Sequence, residues 1–155
     1  MTAATPPSPA AESAPARPPS PLAKLLAAAT AAYVCVLVYA THHPRPQELI
    51  GEGPGTPSDK ALHLWAYSVL GLLSAATLAA RRPWTIRAAA ALTVGLFAFG
   101  AADEITQPLF GRYADVRDWI ADCGGSVAGV LAIAAMLAAA RRVGGSRGGQ
   151  RRTNQ

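Results

Sequence analysis

Charge is scarce in this chain, and cysteine scarcer. Only 15% of the 155 residues are charged, against an apolar share of 51%, whereas a soluble domain averages about a quarter charged. Cys35 and Cys123 both fall inside apolar runs and form neither a CxxC redox pair nor a zinc-ligand spacing, so they read as small hydrophobic packing residues. No HExxH segment occurs, which removes the helix-borne zinc protease signature. The arginines lack the interleaved aromatics of an RNA-binding motif. They sit in short clusters, Arg81 with Arg82, Arg141 with Arg142, and Arg147 with Arg151 and Arg152, each flanking or trailing an apolar run. The net charge of +5 and the pI near 9.8 therefore read as basic flanks of membrane helices, not as a nucleic-acid surface. Met1 to Pro21 is rich in Pro, Ala and Ser and has no basic start; it is expected to be a disordered tail rather than a signal peptide.

Long apolar runs are what the chain has in quantity. The first, Leu22 to Ala40, carries one early charge, Lys24, whose stem can lie in lipid while its ammonium reaches the interface. His42, His43 and Pro44 mark its exit, and a Pro/Gly-rich loop runs from Pro44 to Ser58. A second run goes from Asp59 to about Ala80, with Ser58 or Asp59 as its N-cap. Arg81, Arg82 and Pro83 close it, and a turn of a few residues leads to a third run, Thr85 to Ala102, which the short connection makes antiparallel to the second. The fourth run is Trp119 to Ala140. Each is long enough to cross about 30 Å of hydrocarbon. The expected fold is an all-α, integral-membrane four-helix bundle over residues 22–140, with a tail over 1–21 and a basic, disordered tail over 141–155.

Lysine and arginine partition across these spans. Arg17, Lys24, Arg81, Arg82, Arg87 and the five C-terminal arginines fall on one side; Arg45, Lys60, Arg112 and Arg117 fall on the other. The positive-inside rule predicts that both termini are cytoplasmic. Every acid except Glu12 then lies outside: Glu48, Glu52, Asp59, Asp103, Glu104, Asp115, Asp118 and Asp122. Acids contribute little to topology, so this grouping predicts a shared polar site at the outer ends of the second, third and fourth helices.

The densest part is Asp103 to Asp122, with five carboxylates and two arginines between two apolar runs. Asp103 and Gln107 are four apart with Glu104 on an adjacent face, and Pro108 ends the helical pattern. Acids at a helix C-terminus oppose its dipole, which makes Arg112 and Arg117 the candidate counter-charges. Asp115, Asp118 and Asp122 form an acidic stripe if the fourth helix begins early, with Trp119 beside it as an interface anchor. A cation should meet that stripe: Lys60, Arg112, Arg117, protonated His63 or a divalent metal. Asp59 and His63, four apart, share a helix face and suit either an acid–base pair or a metal pair. Gly125 and Gly129, with Gly124 and Ser126 adjacent, form a GxxxG pattern that serves helix packing within the chain or homodimerisation.

These blocks resemble the VanZ-like family of small bacterial membrane proteins. The resemblance spans about Asp59 to Gly129, through DKALHLWAYSVLGLL, DEITQPLFGRYADVRDWIAD and the glycine-rich GGSVAGV. The middle block matches the family's acidic pair, glutamine, arginine–aromatic step and paired aspartates as Asp103, Glu104, Gln107, Arg112, Tyr113, Asp115 and Asp118; Asp59, Lys60 and His63 match the first block. Asp122 followed by Cys123 departs from it, since family members more often have an asparagine and a small residue there. The family takes its name from an accessory protein linked to low-level teicoplanin resistance. The resemblance therefore implies a multi-pass protein of the bacterial cytoplasmic membrane with a cell-envelope role.

Three functions follow as expectations. In the first, Lys60 and Arg112 meet phosphate or carboxylate groups of a lipid headgroup, cell-wall precursor or glycopeptide, while the acids and His63 hold those cations or bind a bridging metal. In the second, a membrane enzyme acts on a phosphorylated or lipid-linked envelope substrate, with His63 as acid–base and carboxylates around a divalent ion. In the third, the charges only fasten helix ends together. No particular cofactor is implied, and membrane lipids are the expected surroundings.

Overall fold

The computed structural model describes residues 18–45, 51 and 56–152, with side chains described as far as Val143. The expected N-terminal tail up to residue 17, the loop acids Glu48 and Glu52, and residues 153–155 lie outside the described residues. Four helices follow in order: α1 (Pro21–His42), α2 (Asp59–Arg81), α3 (Ile86–Thr106) and α4 (Val116–Arg152), with a 3-10 turn, Gln107–Phe110, after α3.

Local chemistry sets each start. Free N–H groups at a helix start take a short side-chain oxygen as acceptor. Ala23 N–H donates to Ser20 Oγ at 3.2 Å, Ala61 N–H to Ser58 Oγ at 3.3 Å, and Ala88 N–H to Thr85 Oγ1 at 3.1 Å. Of the two candidate caps of α2, the structure uses Ser58. At α4 the cap is Asp115, whose carbonyl accepts from Trp119 N–H at 3.3 Å and whose carboxylate accepts from Arg117 N–H at 2.9 Å.

Three boundaries differ from the sequence expectation. α3 runs past Ala102 to Thr106, and α4 begins at Val116 instead of Trp119. Asp103, Glu104 and Asp118 thus lie inside helices, because buried partners accept them there. The chain tightens at Gln107–Phe110 around Pro108 and reverses at Gly111, whose φ of 80° suits a residue without Cβ. At the other end, the helical backbone of α4 continues past Ala140 to Arg152, into the Gly/Arg segment expected as a tail.

α2 and α4 are the closest pair. A Cβ on Gly71 would stand 2.5 Å from the Ser126 carbonyl oxygen, and Cβ atoms on Gly125 and Gly129 would overlap the carbonyl oxygens of Leu64 and Ser68. The small-residue pattern is filled by α2 of the same chain, the within-chain use of such a motif. α1 packs on α2, tied by Tyr33 Oη donating to the Ala66 carbonyl at 2.8 Å and by the Thr30–Thr77 hydroxyl pair at 2.9 Å. α3 packs on α4, where Trp119 Nε1 donates to the Phe97 carbonyl at 3.0 Å. The core holds Leu37, Tyr67, Leu70, Ala75, Ala89, Leu96 and Val130.

Outward, the helices are apolar: Val36, Trp65, Val94, Leu131 and Met136 are all exposed. The charged residues Asp103, Glu104, Asp118 and Asp122 are buried instead. With spans of 22 to 28 residues, each longer than a hydrocarbon core of about 30 Å at ~1.5 Å per residue, this inside-out distribution makes the chain a multi-pass, all-α membrane four-helix bundle.

Candidate functional site: a buried polar cluster at one end of the bundle

The start of α2, the end of α3 and the start of α4 lie at the same end of the bundle, because the α2–α3 hairpin and the α3–α4 reversal make these helices alternate. α1 ends there too. All ten sequence-predicted residues, Asp59, Lys60, His63, Asp103, Glu104, Gln107, Arg112, Asp115, Asp118 and Asp122, belong to this end.

His63 is the hub. Its Nδ1 lies 2.9 Å from Asp122 Oδ1 and 3.8 Å from Glu104 Oε1, and all three side chains are buried. Asp59, His63 and Asp118 form an overlapping group, in which one potential ligand atom from each lies within 4.8 Å of the others; His63, Glu104 and Asp122 meet the same limit. The four-residue spacing of Asp59 and His63 thus places both around one point, as their shared helix face implied. Asp122 is the nearest partner of His63.

Each remaining acid has its own support. Glu104 Oε1 accepts from Gln107 Nε2 at 2.8 Å, and Oε2 accepts from the Asp115 N–H at 3.1 Å. Asp103 turns the other way, to α1: Thr41 Oγ1 donates to its Oδ1 at 2.9 Å, and His42 Nδ1 stands 3.5 Å from the same oxygen. Gln107 therefore serves Glu104, three residues before it, and not Asp103, four before it.

The arginine expectation is corrected. Neither Arg112 nor Arg117 reaches Asp103 or Glu104. The reversal at Gly111 carries Arg112 across to α1 and α2, where its guanidinium contacts Asp59 Oδ2 at 3.2 Å and donates to the Thr41 carbonyl at 2.9 Å. Arg117 contributes its backbone N–H to Asp115. The acidic stripe on α4 does meet cations, though from α2: Lys60 Nζ is 3.2 Å from both Asp115 Oδ2 and Asp118 Oδ1, and His63 meets Asp122. The Arg117 N–H, with Lys60 second, holds the Asp115 carboxyl below the usual carboxylate range.

Several participants carried no sequence signal. Thr41 and His42 mark only the exit of a span; in the structure they bind Asp103, and His42 Nε2 lies 2.9 Å from Thr106 Oγ1. Tyr67, one turn beyond His63, is fully buried with its hydroxyl facing Asp103 and near Asp122 and Glu104. Gly100, one turn before Glu104, leaves room for Asp122: a Cβ there would be 3.4 Å from Asp122 Oδ2. Ser126, buried one turn beyond Asp122, continues the same stripe. The i+4 relations 63/67, 100/104 and 122/126 were the available signal.

The cluster therefore has two layers. Toward the rim, Arg112 pairs with Asp59, and Lys60 pairs with Asp115 and Asp118. Deeper, Asp103, Glu104 and Asp122 have histidines, hydroxyls, an amide and a backbone N–H as neighbours, and no lysine or arginine among the described residues. Such a layer can accept hydrogen bonds from a donor-rich ligand or hold a cation. In comparisons with known proteins, no family model matches the chain, and neither a curated protein nor a solved structure matches it.

Proposed function

We propose that this chain is a VanZ-like, multi-pass protein of the bacterial cytoplasmic membrane, with both termini in the cytoplasm. On this reading the polar end of its bundle faces outward and binds the headgroup of a lipid-linked envelope molecule. The observation that carries the reading is a cavity of about 660 Å³ beside α1 and α3, with Val38, Phe99, Ala102 and Phe110 in its walls, which meets the polar cluster at His42, Asp103 and Thr106. The lining of this cavity is almost entirely apolar, which suits the chain of an amphiphile, and the buried polar cluster lies behind its wall at His42, Asp103 and Thr106. The amphiphile's acyl or prenyl chain occupies the cavity, and donor groups of its head reach the carboxylates. Lys60, half exposed with two of its three donors engaged, offers the third to a phosphate or carboxylate of the ligand.

Purified full-length protein in detergent is expected to bind a lipid-linked cell-wall precursor, and the resemblance makes teicoplanin the second probe. Arg112→Ala and Asp118→Asn should each weaken binding by about tenfold, on the order of 1.4 kcal/mol. Unchanged affinity in both variants would sink the reading. One contact favours a second reading, a membrane enzyme on a phosphorylated or lipid-linked envelope substrate: His63 Nδ1 and Asp122 Oδ1 at 2.9 Å are spaced as a base and its orienting carboxylate. Turnover of the precursor by the wild type, abolished in His63→Ala, would select it over simple binding.

A further inference from the structure

We propose that His63, Glu104 and Asp122 form a site for one divalent transition-metal ion, of the zinc or manganese class, in the deep layer of the cluster. The ligand atoms are already gathered: His63 Nδ1 is 2.9 Å from Asp122 Oδ1 and 3.8 Å from Glu104 Oε1. Around an ion with bonds of about 2.1 Å, neighbouring ligand atoms stand roughly 3.0 Å apart at right angles and roughly 3.4 Å apart at the tetrahedral angle. The two distances from His63 bracket those separations, and all three ligand atoms lie within 4.8 Å of one another.

Asp122 supplies the independent sign. It is 1% exposed and aimed into the group, yet its Oδ2 has no hydrogen-bond partner among the protein atoms. Ser126 Oγ, one turn beyond Asp122, is likewise buried without a partner, whereas the Tyr67 hydroxyl and Asp103 face each other. Buried polar atoms in folded proteins are paired with few exceptions, and a carboxylate oxygen left alone costs more than most. An orphan carboxylate oxygen on the nearest neighbour of a buried histidine asks for a cationic partner.

Charge separates this triad from the overlapping one. Asp59 and Asp118 already face Arg112 and Lys60, so a metal among Asp59, His63 and Asp118 would meet compensated carboxylates and nearby positive charge. Glu104 and Asp122 face no lysine or arginine among the described residues. The outer supports are also those of a metal site: the Gln107 amide and the Asp115 N–H fix both oxygens of Glu104, as hydrogen bonds behind ligating carboxylates do. One imidazole with two carboxylates suits zinc, manganese or iron better than calcium or magnesium, which take oxygen ligands.

The inference does not require the lipid-linked ligand, and its test uses metal alone. Full-length protein, stripped with chelator in detergent, is titrated with Zn²⁺ and with Mn²⁺, and bound metal is counted after desalting. One equivalent per chain is expected. Asp122→Asn and Glu104→Gln should each abolish it, Asp59→Asn should affect it much less, and Gln107→Ala should weaken it by about 10- to 100-fold. Size-exclusion profile and helical content check the fold of each variant, and wild-type stoichiometry decides the matter even if a variant fails to fold. Absence of bound metal in the wild type, equal affinity in folded Asp122→Asn, or a loss in Asp59→Asn as large as in Asp122→Asn overturns the assignment. Metal binding without precursor binding would contradict only the proposed function.

Discussion

Arg112 shows how one side chain joins three segments. Its guanidinium contacts Asp59 at the start of α2 and the carbonyl of Thr41 near the end of α1, while its backbone belongs to the α3–α4 connection. The planar fork of arginine can make both contacts at once; a lysine ammonium is a point charge on a flexible stem. Arg112→Ala is expected to lower stability by about 1.5–3 kcal/mol, the usual range for a lost hydrogen bond to a charged group, and Arg112→Lys should recover only part of it. Denaturant unfolding in detergent measures both, and an Arg112→Ala protein as stable as the wild type would contradict this role. His63 and Asp122 stand deeper, and the choice of Asp122 as the partner of His63 was only half legible. Spacing placed Asp122 on the acidic stripe and deepest in an apolar run, but which base it meets depends on the register of α2 against α4, which no local pattern encodes. Thr41, His42 and Tyr67 were illegible for the same reason: a polar group at a span's exit and an aromatic inside a span look ordinary until the neighbouring helix is in place.

Among the elements, glycine occupies two kinds of position. At Gly129 a Cβ would overlap the backbone of α2, whereas at Gly95 in α3 a Cβ would meet nothing within 4 Å. Gly129→Ala should therefore destabilise by about 1–3 kcal/mol through forced separation of two helices, and Gly95→Ala should be neutral or stabilise by up to about 1 kcal/mol. Thermal melts in the same detergent check the pair; a Gly129→Ala protein as stable as the wild type would mean that α2 and α4 do not pack through this face. The start of α4 brings a pH prediction. Asp115 has its pKa lowered in the folded state by the Arg117 N–H and by Lys60, so its contribution is present above the ordinary aspartate value of about 3.9 and is lost as pH falls through the lower folded value. Melts taken from pH 7 to pH 3 should show the wild type losing stability at the acid end, and Asp115→Asn should show a smaller loss there. The apolar runs made the four helices legible, while their ends at Thr106 and Val116 were not. Acids and arginines near a boundary read as loop until buried partners are seen to receive them.

At the scale of the whole molecule, the chain is apolar outside along its spans and polar inside at one end, and the apolar cavity beside α1 and α3 lies against that polar end. The composition made membrane residence legible, and the clustering of acids at one set of helix ends made the place of the cluster legible. The cavity was not, because it arises from how little α1 and α3 touch away from Thr41, His42, Asp103 and Thr106. On the proposed reading, that gap holds the chain of an amphiphile. The most direct measurement fills it: Ala102→Trp places a large side chain in the cavity wall, and affinity for a lipid-linked cell-wall precursor is compared with that of wild-type protein in the same detergent. The account predicts wild-type binding that falls by tenfold or more, roughly 1.4 kcal/mol, while one equivalent of metal is still bound. A wild-type protein that does not bind the precursor, or an Ala102→Trp protein that binds it equally well, would contradict the account.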